Sequence, residues 1–251
     1  MVRGLKVFAD HFADYQDSYA LIGGAACDVL FGEAGLDFRA TKDLDIVLCI
    51  EVVDAGFAER FQTFLDKGGY QTRQRSDGRR EFYRFQKPTD EAYPAMLELF
   101  ARKPEIPLLP DDVTLTPVPI EDDAMSLSAI LVDDAYYDLL LMRRVVKDGL
   151  SVIDAATLIP FKARAYIDLS QRKADGERVD SKTIRKHRSD VYRLTQLLPG
   201  TGSIELPSSI KGDMDAFVRD AEEAAYDPSS TVKGLTLAEG SGVLRRYFRL
   251  D

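Results

Sequence analysis

The sequence predicts an α+β protein: a βαβ-type start that builds a mixed sheet, followed by a C-terminal helical bundle. Two observations carry this. Up to about residue 101, short runs rich in β-formers alternate with helical stretches; beyond about residue 126, apolar residues recur at helical spacing. A length of 251 residues suits one large domain or two smaller ones, and the change of pattern divides the chain into 1–120 and 121–251.

In the first half, residues 5–15 form a short amphipathic helix, and Tyr19 to Ile22 is an apolar strand that stops at Gly23-Gly24. A helix follows over Ala25 to about Leu30. Thr41 to Ile50 is a strand, and Phe57 to Lys67 is a helix closed by Gly68-Gly69. Arg80 to Gln86 and Ala95 to Ala101 are paired strands around a connection containing Pro88 and Pro94. In the second half, Asp133 caps a helix running through Tyr137 and Leu140 to Lys147, ended by Gly149, and Pro160 opens another that continues to about Arg172. Ile184, His187, Val191, Leu194 and Leu198 line one face of a helix that stops before Pro199-Gly200. Thr201 to Ser209 is turn-rich, Asp213 to Ala225 is a last helix, and the tail Leu235 to Asp251 has no clear element.

Composition removes several classes of protein. Hydrophobic residues make up 45% and charged residues 30%, an ordinary globular mixture rather than a disordered one. No apolar run approaches the ~18 residues of a membrane-spanning helix, and the start MVRGLKVFADHFADYQ lacks a signal-peptide core, so a cytoplasmic protein with no membrane partner is expected. Cys27 and Cys49 cannot make a disulfide framework, and His11 and His187 are too far apart to complete a zinc site with them. The formal charge of -9 argues against a surface that coats nucleic acid throughout. Residues 162–193 nevertheless carry ten Lys or Arg against five acids, a local balance of +5. Such a stretch fits a local polyanion site or a solvated helical surface.

Three pieces of the first half point to chemistry together. Gly23 and Gly24 lie between a strand and a helix, where backbone N–H groups can approach a phosphate; a simple tight turn is the alternative. Asp43 and Asp45 flank one leucine in a strand, so alternation sends both carboxylates to one face while Leu44 and Ile46 point into the core. Two like charges on one face need a cation or a solvated edge, and hard oxygen ligands favour magnesium or manganese. Glu98 interrupts the apolar strand AMLELF, where burial is costly unless the carboxylate is paired or metal-bound; an outward position on an edge strand is the alternative. If its strand neighbours that of Asp43 and Asp45, the three acids can hold two Mg²⁺ ions about 3.5 to 4 Å apart, a phosphoryl-transfer centre. In that centre Asp43 and Asp45 hold the metal that carries a nucleoside triphosphate, and Glu98 completes the second site and orients or deprotonates an attacking hydroxyl. Arg39 and Thr41 add phosphate contacts or are ordinary loop residues.

The order Gly-Gly, then Arg-Ala-Thr-Lys-Asp-Leu-Asp, then a later strand acid resembles the nucleotidyltransferase fold of the DNA polymerase β superfamily over roughly residues 18–101. That resemblance implies phosphate binding by Gly23 and Gly24 and binding of two metals by Asp43, Asp45 and Glu98. The chain departs from it in the third acid, more commonly aspartate. LIPFKARAYIDL followed by SKTIRKHRSDVYRL resembles the AbiEii-type toxin branch, the nucleotidyltransferase partners of type IV toxin-antitoxin systems. The resemblance gives Lys162 the place of an essential lysine that also meets the nucleotide, and Asp190 that of a catalytic aspartate. It implies transfer of nucleotides to an RNA such as the tRNA acceptor end, and a cognate antitoxin as a possible partner.

The residues themselves leave other roles open. Lys162 could be a surface lysine whose stem covers apolar side chains, Asp190 could pair with Lys186 or Arg193, and His187 reads as a core histidine. The function expected is Mg²⁺- or Mn²⁺-dependent transfer of a nucleoside monophosphate from an NTP to RNA. The alternatives are transfer to a protein or small-molecule hydroxyl, and a degenerate member that binds a partner without catalysis.

Overall fold

The computed structural model describes residues 2–39, 41, 43–49, 55–73, 82–100, 130 and 133–251. It divides into two units, Met1–Ile120 with Leu140–Asp154, and Glu121–Leu139 with Ala155–Asp251. The division expected at 120/121 lies outside the described residues, as do positions 42, 50, 80, 81 and 101 of the expected strands.

In chain order the helices are α1 (Leu5–His11), α2 (Gly23–Glu33), α3 (Ala55–Gly68), α4 (Asp134–Met142), α5 (Ala155–Ala174), α6 (Ser181–Leu194), α7 (Ser208–Glu223) and α8 (Leu237–Phe248). The strands are β1 (Tyr19–Ile22), β2 (Asp43–Leu48), β3 (Gln71–Arg73), β4 (Phe82–Gln86), β5 (Met96–Phe100), β6 (Arg144–Lys147) and β7 (Leu150–Ile153).

The strands belong to the first unit and form one mixed sheet, ordered β3-β4-β5-β2-β1-β7-β6. The pairs β2–β5 and β1–β7 are parallel, and the other neighbours are antiparallel. Strand alternation gives this sheet two different faces. On one, Tyr19 of β1 packs edge-on against Phe8 of α1 with ring centroids 5.3 Å apart, and Phe85 of β4 meets Phe61 of α3 at 5.6 Å. Phe12, Phe57 and Phe64 join this aromatic layer, all fully buried. Each such ring contributes roughly 1.5–3 kcal/mol on leaving water. The other face carries Asp43 and Asp45, because Leu44, Ile46 and Leu48 share the register of Leu21 and Tyr19. That face holds the candidate site.

Two expected helices are corrected. The helix foreseen to Lys147 ends at Met142, and residues 144–147 form β6 of a hairpin with β7. Lys147 pairs with Leu150, so the loop is Asp148-Gly149, both at positive φ (49° and 76°). Asp-Gly in a two-residue loop is a strong hairpin signal, here misread as a helix stop. Pro160 does not open a helix but stands inside α5, which starts at Ala155. A mid-helix proline costs about 3 kcal/mol, and burial of every side chain from Ala155 to Ala163 offsets that cost. The tail without a clear element contains α8, started by a reciprocal capping box between Thr236 and Glu239.

In the second unit, α6 is capped by Asp180, whose carboxylate accepts from the Lys182 N–H. Its apolar face, Val191 and Leu194 with Tyr192, is buried, as are Leu158 and Ile159 of α5 and Phe217 of α7.

Candidate active site

A single row of residues crosses four strands. Ile22 of β1 lies opposite Asp45 of β2, Asp45 opposite Glu98 of β5, and Glu98 opposite Arg84 of β4. Directly opposed residues share a face, so Asp45, Glu98 and Arg84 project to the same side. Asp43 is on that side too, two residues earlier and opposite Met96. Leu44 and Ile46 point the other way and are completely buried, as alternation requires.

The chain turns from β1 into α2 directly beside this row. Gly23 has φ 63°, and a Cβ there would stand 1.9 Å from Asp45 Oδ2. A Cβ on Gly24 would stand 2.5 Å from Thr41 Oγ1. Both glycines are therefore required by close approach, Gly23 by its conformation as well. Ile22 offers α2 no side-chain cap. The partial positive charge of the α2 N-terminus thus begins next to Asp45. Arg39 holds its guanidinium 5.0 Å from the centre of the Phe38 ring.

Glu98 and Arg84 are both buried, 7% and 5% exposed. Arg84 Nε donates to Glu98 Oε1 at 2.7 Å, and Nη2 lies 2.5 Å from the same oxygen. Burial, then the neighbouring Asp45, pushes the Glu98 carboxyl well above the usual carboxylate range; Arg84 opposes this and is outweighed. The Asp45 carboxyl stands next to that of Glu98 through the β2–β5 register. A buried carboxyl beside a second one is disfavoured from ionising unless a cation stands with it.

This donor set fits a hard divalent cation in part. Asp45 and Glu98 converge and are oxygen ligands of the right kind. Among the described residues, however, no three His, Cys, Asp or Glu side chains stand close enough to hold an ion as a group. Asp43 lies one step along β2 rather than in the Asp45–Glu98 pair. Arg84 was not foreseen. Its signal was in the sequence, since FYRFQ and MLELF each carry one charge inside an apolar strand, and such charges are buried in pairs.

In the second unit Lys162 and Asp190 come together between α5 and α6. Lys162 Nζ lies 3.6 Å from Asp190 Oδ2, and Arg193 Nη1 lies 3.9 Å from Asp190 Oδ1. The Lys162 side chain is 7% exposed and that of Asp190 is fully buried, so Lys162 is not a surface lysine. Arg193 was one of the two partners open to Asp190. His187 is buried on the same helix, as a core histidine would be. The first unit also has a cleft of about 620 Å³ lined by Asp28, Glu33, Leu36, Asp37, Phe38 and Asp148 among others. It lies along the C-terminal part of α2, and Gly23, Asp45 and Glu98 do not line it.

No protein-family model matches this chain, and no curated protein does. Among solved structures it is similar to an antigenic nucleotidyltransferase-like protein from Paracoccidioides brasiliensis, with 19% identity, 94% of this chain and 95% of that chain covered, and a TM-score of 0.42. Among the described residues no helix is long and apolar enough to cross a membrane.

Proposed function

We propose that this protein is a Mg²⁺-dependent nucleotidyltransferase that moves a nucleoside monophosphate from an NTP to an RNA acceptor. The observation that supports this most is the in-register pairing of Asp45 with Glu98, with Gly23 packed against the Asp45 carboxylate. On this reading Asp43 and Asp45 hold the metal, which when bound supplies positive charge to the triphosphate. The N–H groups of Gly23 and Gly24 donate to phosphate oxygens, aided by the α2 N-terminus, while Arg39 and Thr41 flank the same anion. Glu98, fixed through Oε1 by Arg84, orients the acceptor hydroxyl. The hydroxyl oxygen forms a bond to the α-phosphorus, the bond from that phosphorus to the bridging oxygen breaks, pyrophosphate leaves, and the hydroxyl proton passes to a neighbouring base or water. Lys162 is a cation whose position Asp190 sets.

The acceptor follows from charge. The +5 balance of residues 162–193 suits a polyanion, and the AbiEii-type resemblance makes the tRNA 3′ end the acceptor to try first and a toxin role the biological context. Incubating the protein with Mg²⁺, each labelled nucleoside triphosphate and total RNA should label RNA. Asp43→Ala should lower transfer by about 10³-fold or more with the fold retained, a loss typical of charge-stabilising groups. Absence of label from RNA with every nucleotide, tRNA included, would overturn the reading. The net charge of -9 favours a second acceptor class, a protein or small-molecule hydroxyl, and label on protein and never on RNA would establish that instead.

A further inference from the structure

The cleft along the C-terminal part of α2 is built from the first unit alone, by α1, α2, the loop after α2 and the β6–β7 hairpin. At about 620 Å³ it has the size of a small-molecule pocket. Asp10, Asp28, Glu33, Asp37 and Asp148 line it against a single lysine, Lys6. Some of this charge is answered locally: Lys6 pairs with Asp10 at 3.1 Å, Lys147 with Glu33 at 2.6 Å, and Asp28 accepts from the Val2 N–H at 2.6 Å. Asp37 and Asp148 are exposed and make no ion pair among the described residues. The C-terminus of α2 adds partial negative charge, with no basic residue in its last turn. The acids are spread rather than gathered. Asp28 and Glu33 stand roughly 7.5 Å apart along the α2 axis, and Asp148 comes from the hairpin loop. No three His, Cys, Asp or Glu among the described residues could hold one metal ion. The lining also includes apolar Val29, Leu36, Phe38 and Leu150. Leu36 stays 41% exposed although its N–H is tied to the Phe31 carbonyl at 2.8 Å, across Gly35 at φ 69°.

We propose that this cleft binds an aliphatic polyamine: its ammonium groups meet the separated carboxylates, and the methylene chain between them covers Leu36 and Phe38. A compact cation satisfies the charge and leaves the apolar lining wet, and a purely apolar ligand leaves the carboxylates unanswered; a charged chain of methylenes matches both. The site is separate from the sheet carboxylates, because Gly23 lies at the opposite end of α2, roughly 15 Å away along the helix axis. It stands or falls independently of the nucleotidyltransferase reading.

The test is isothermal titration calorimetry of spermidine into the full chain and into the double variant Asp37→Asn/Asp148→Asn. Both acids are exposed, and asparagine tolerates the left-handed backbone of Asp148 (φ 49°), so the variant keeps the fold. Spermidine should bind wild type at one site and the double variant about ten-fold more weakly, the loss of two exposed charge pairs. Hexaamminecobalt(III) carries the same charge without a methylene chain and should bind wild type at least about five-fold more weakly than spermidine does. Spermidine binding that the double variant leaves unchanged, equal binding of hexaamminecobalt(III), or no spermidine binding at all would each overturn the proposal. So would a tetralysine peptide that binds where spermidine does not, which would give the cleft to a basic segment of a protein.

Discussion

The two buried charge clusters are built in opposite senses. On the sheet, two carboxyl groups, Asp45 and Glu98, lie side by side, and one guanidinium, that of Arg84, bonds Glu98. Between α5 and α6, one carboxylate, Asp190, lies between two cations, Lys162 and Arg193. The first contact is tight, 2.5 to 2.7 Å, and the second loose, 3.6 and 3.9 Å. The first sets two acids against one cation, so ionisation of both would leave negative charge over, which is what the proposed metal-dependent reading requires. The second already contains the countercharge for its buried acid, so a substitution there acts on folding before it acts on chemistry.

The comparison breaks most readily at Asp190. Asp190→Asn removes the carboxylate that faces Lys162 and leaves a buried ammonium without it. A loss of about 3–5 kcal/mol in unfolding free energy is expected, measured by urea denaturation. A variant as stable as wild type would mean that solvent or a rearranged side chain takes over, and the contrast between the clusters would disappear. Glu98→Gln should cost less, about 1–2 kcal/mol: the amide oxygen still accepts from Arg84, and the repulsion between Glu98 and Asp45 is gone. A cost equal to that of Asp190→Asn would show that Arg84 needs the full charge of Glu98.

The sequence exposed these clusters unequally, for physical reasons. Period-two alternation carried the face of β2, so Asp43 and Asp45 could be assigned to one side, and Glu98 stood out as a lone acid in an apolar strand, either buried with a partner or facing outward on an edge. Gly23-Gly24 was legible as a strand-to-helix turn, but the contacts that forbid a side chain there come from Asp45 and Thr41, about twenty residues on. The lone charge inside FYRFQ marked Arg84 as a residue needing a partner, but which partner is fixed by antiparallel register across β4 and β5, a long-range property that no local pattern states. Lys162 was left open between a site cation and a surface lysine, because helical periodicity ranks a lysine as polar without saying what faces it. In the packed unit α6 brings Asp190 to it, and the charge is buried as a pair. The hairpin at Asp148-Gly149 had the opposite difficulty: its signal was local and clear, and a preceding helical stretch carried the reading past it.

The smallest effect expected is also the most diagnostic. Replacing both members of the helical pair, Lys162→Met with Asp190→Leu, removes the charge and its countercharge together and fills a similar volume with apolar atoms. Because both side chains are nine-tenths or more buried, the desolvation cost of the pair disappears along with its attraction. Stability should come within about 1 kcal/mol of wild type even though Asp190→Asn alone is costly. Nucleotide transfer then separates the roles. If Lys162 meets the triphosphate, the stable double variant loses activity, whereas a pair that serves folding alone leaves it unchanged. The place that the AbiEii-type resemblance gives Lys162 predicts the loss, with the thermal unfolding midpoint preserved, and full activity in the double variant would confine Lys162 and Asp190 to holding α5 and α6 together.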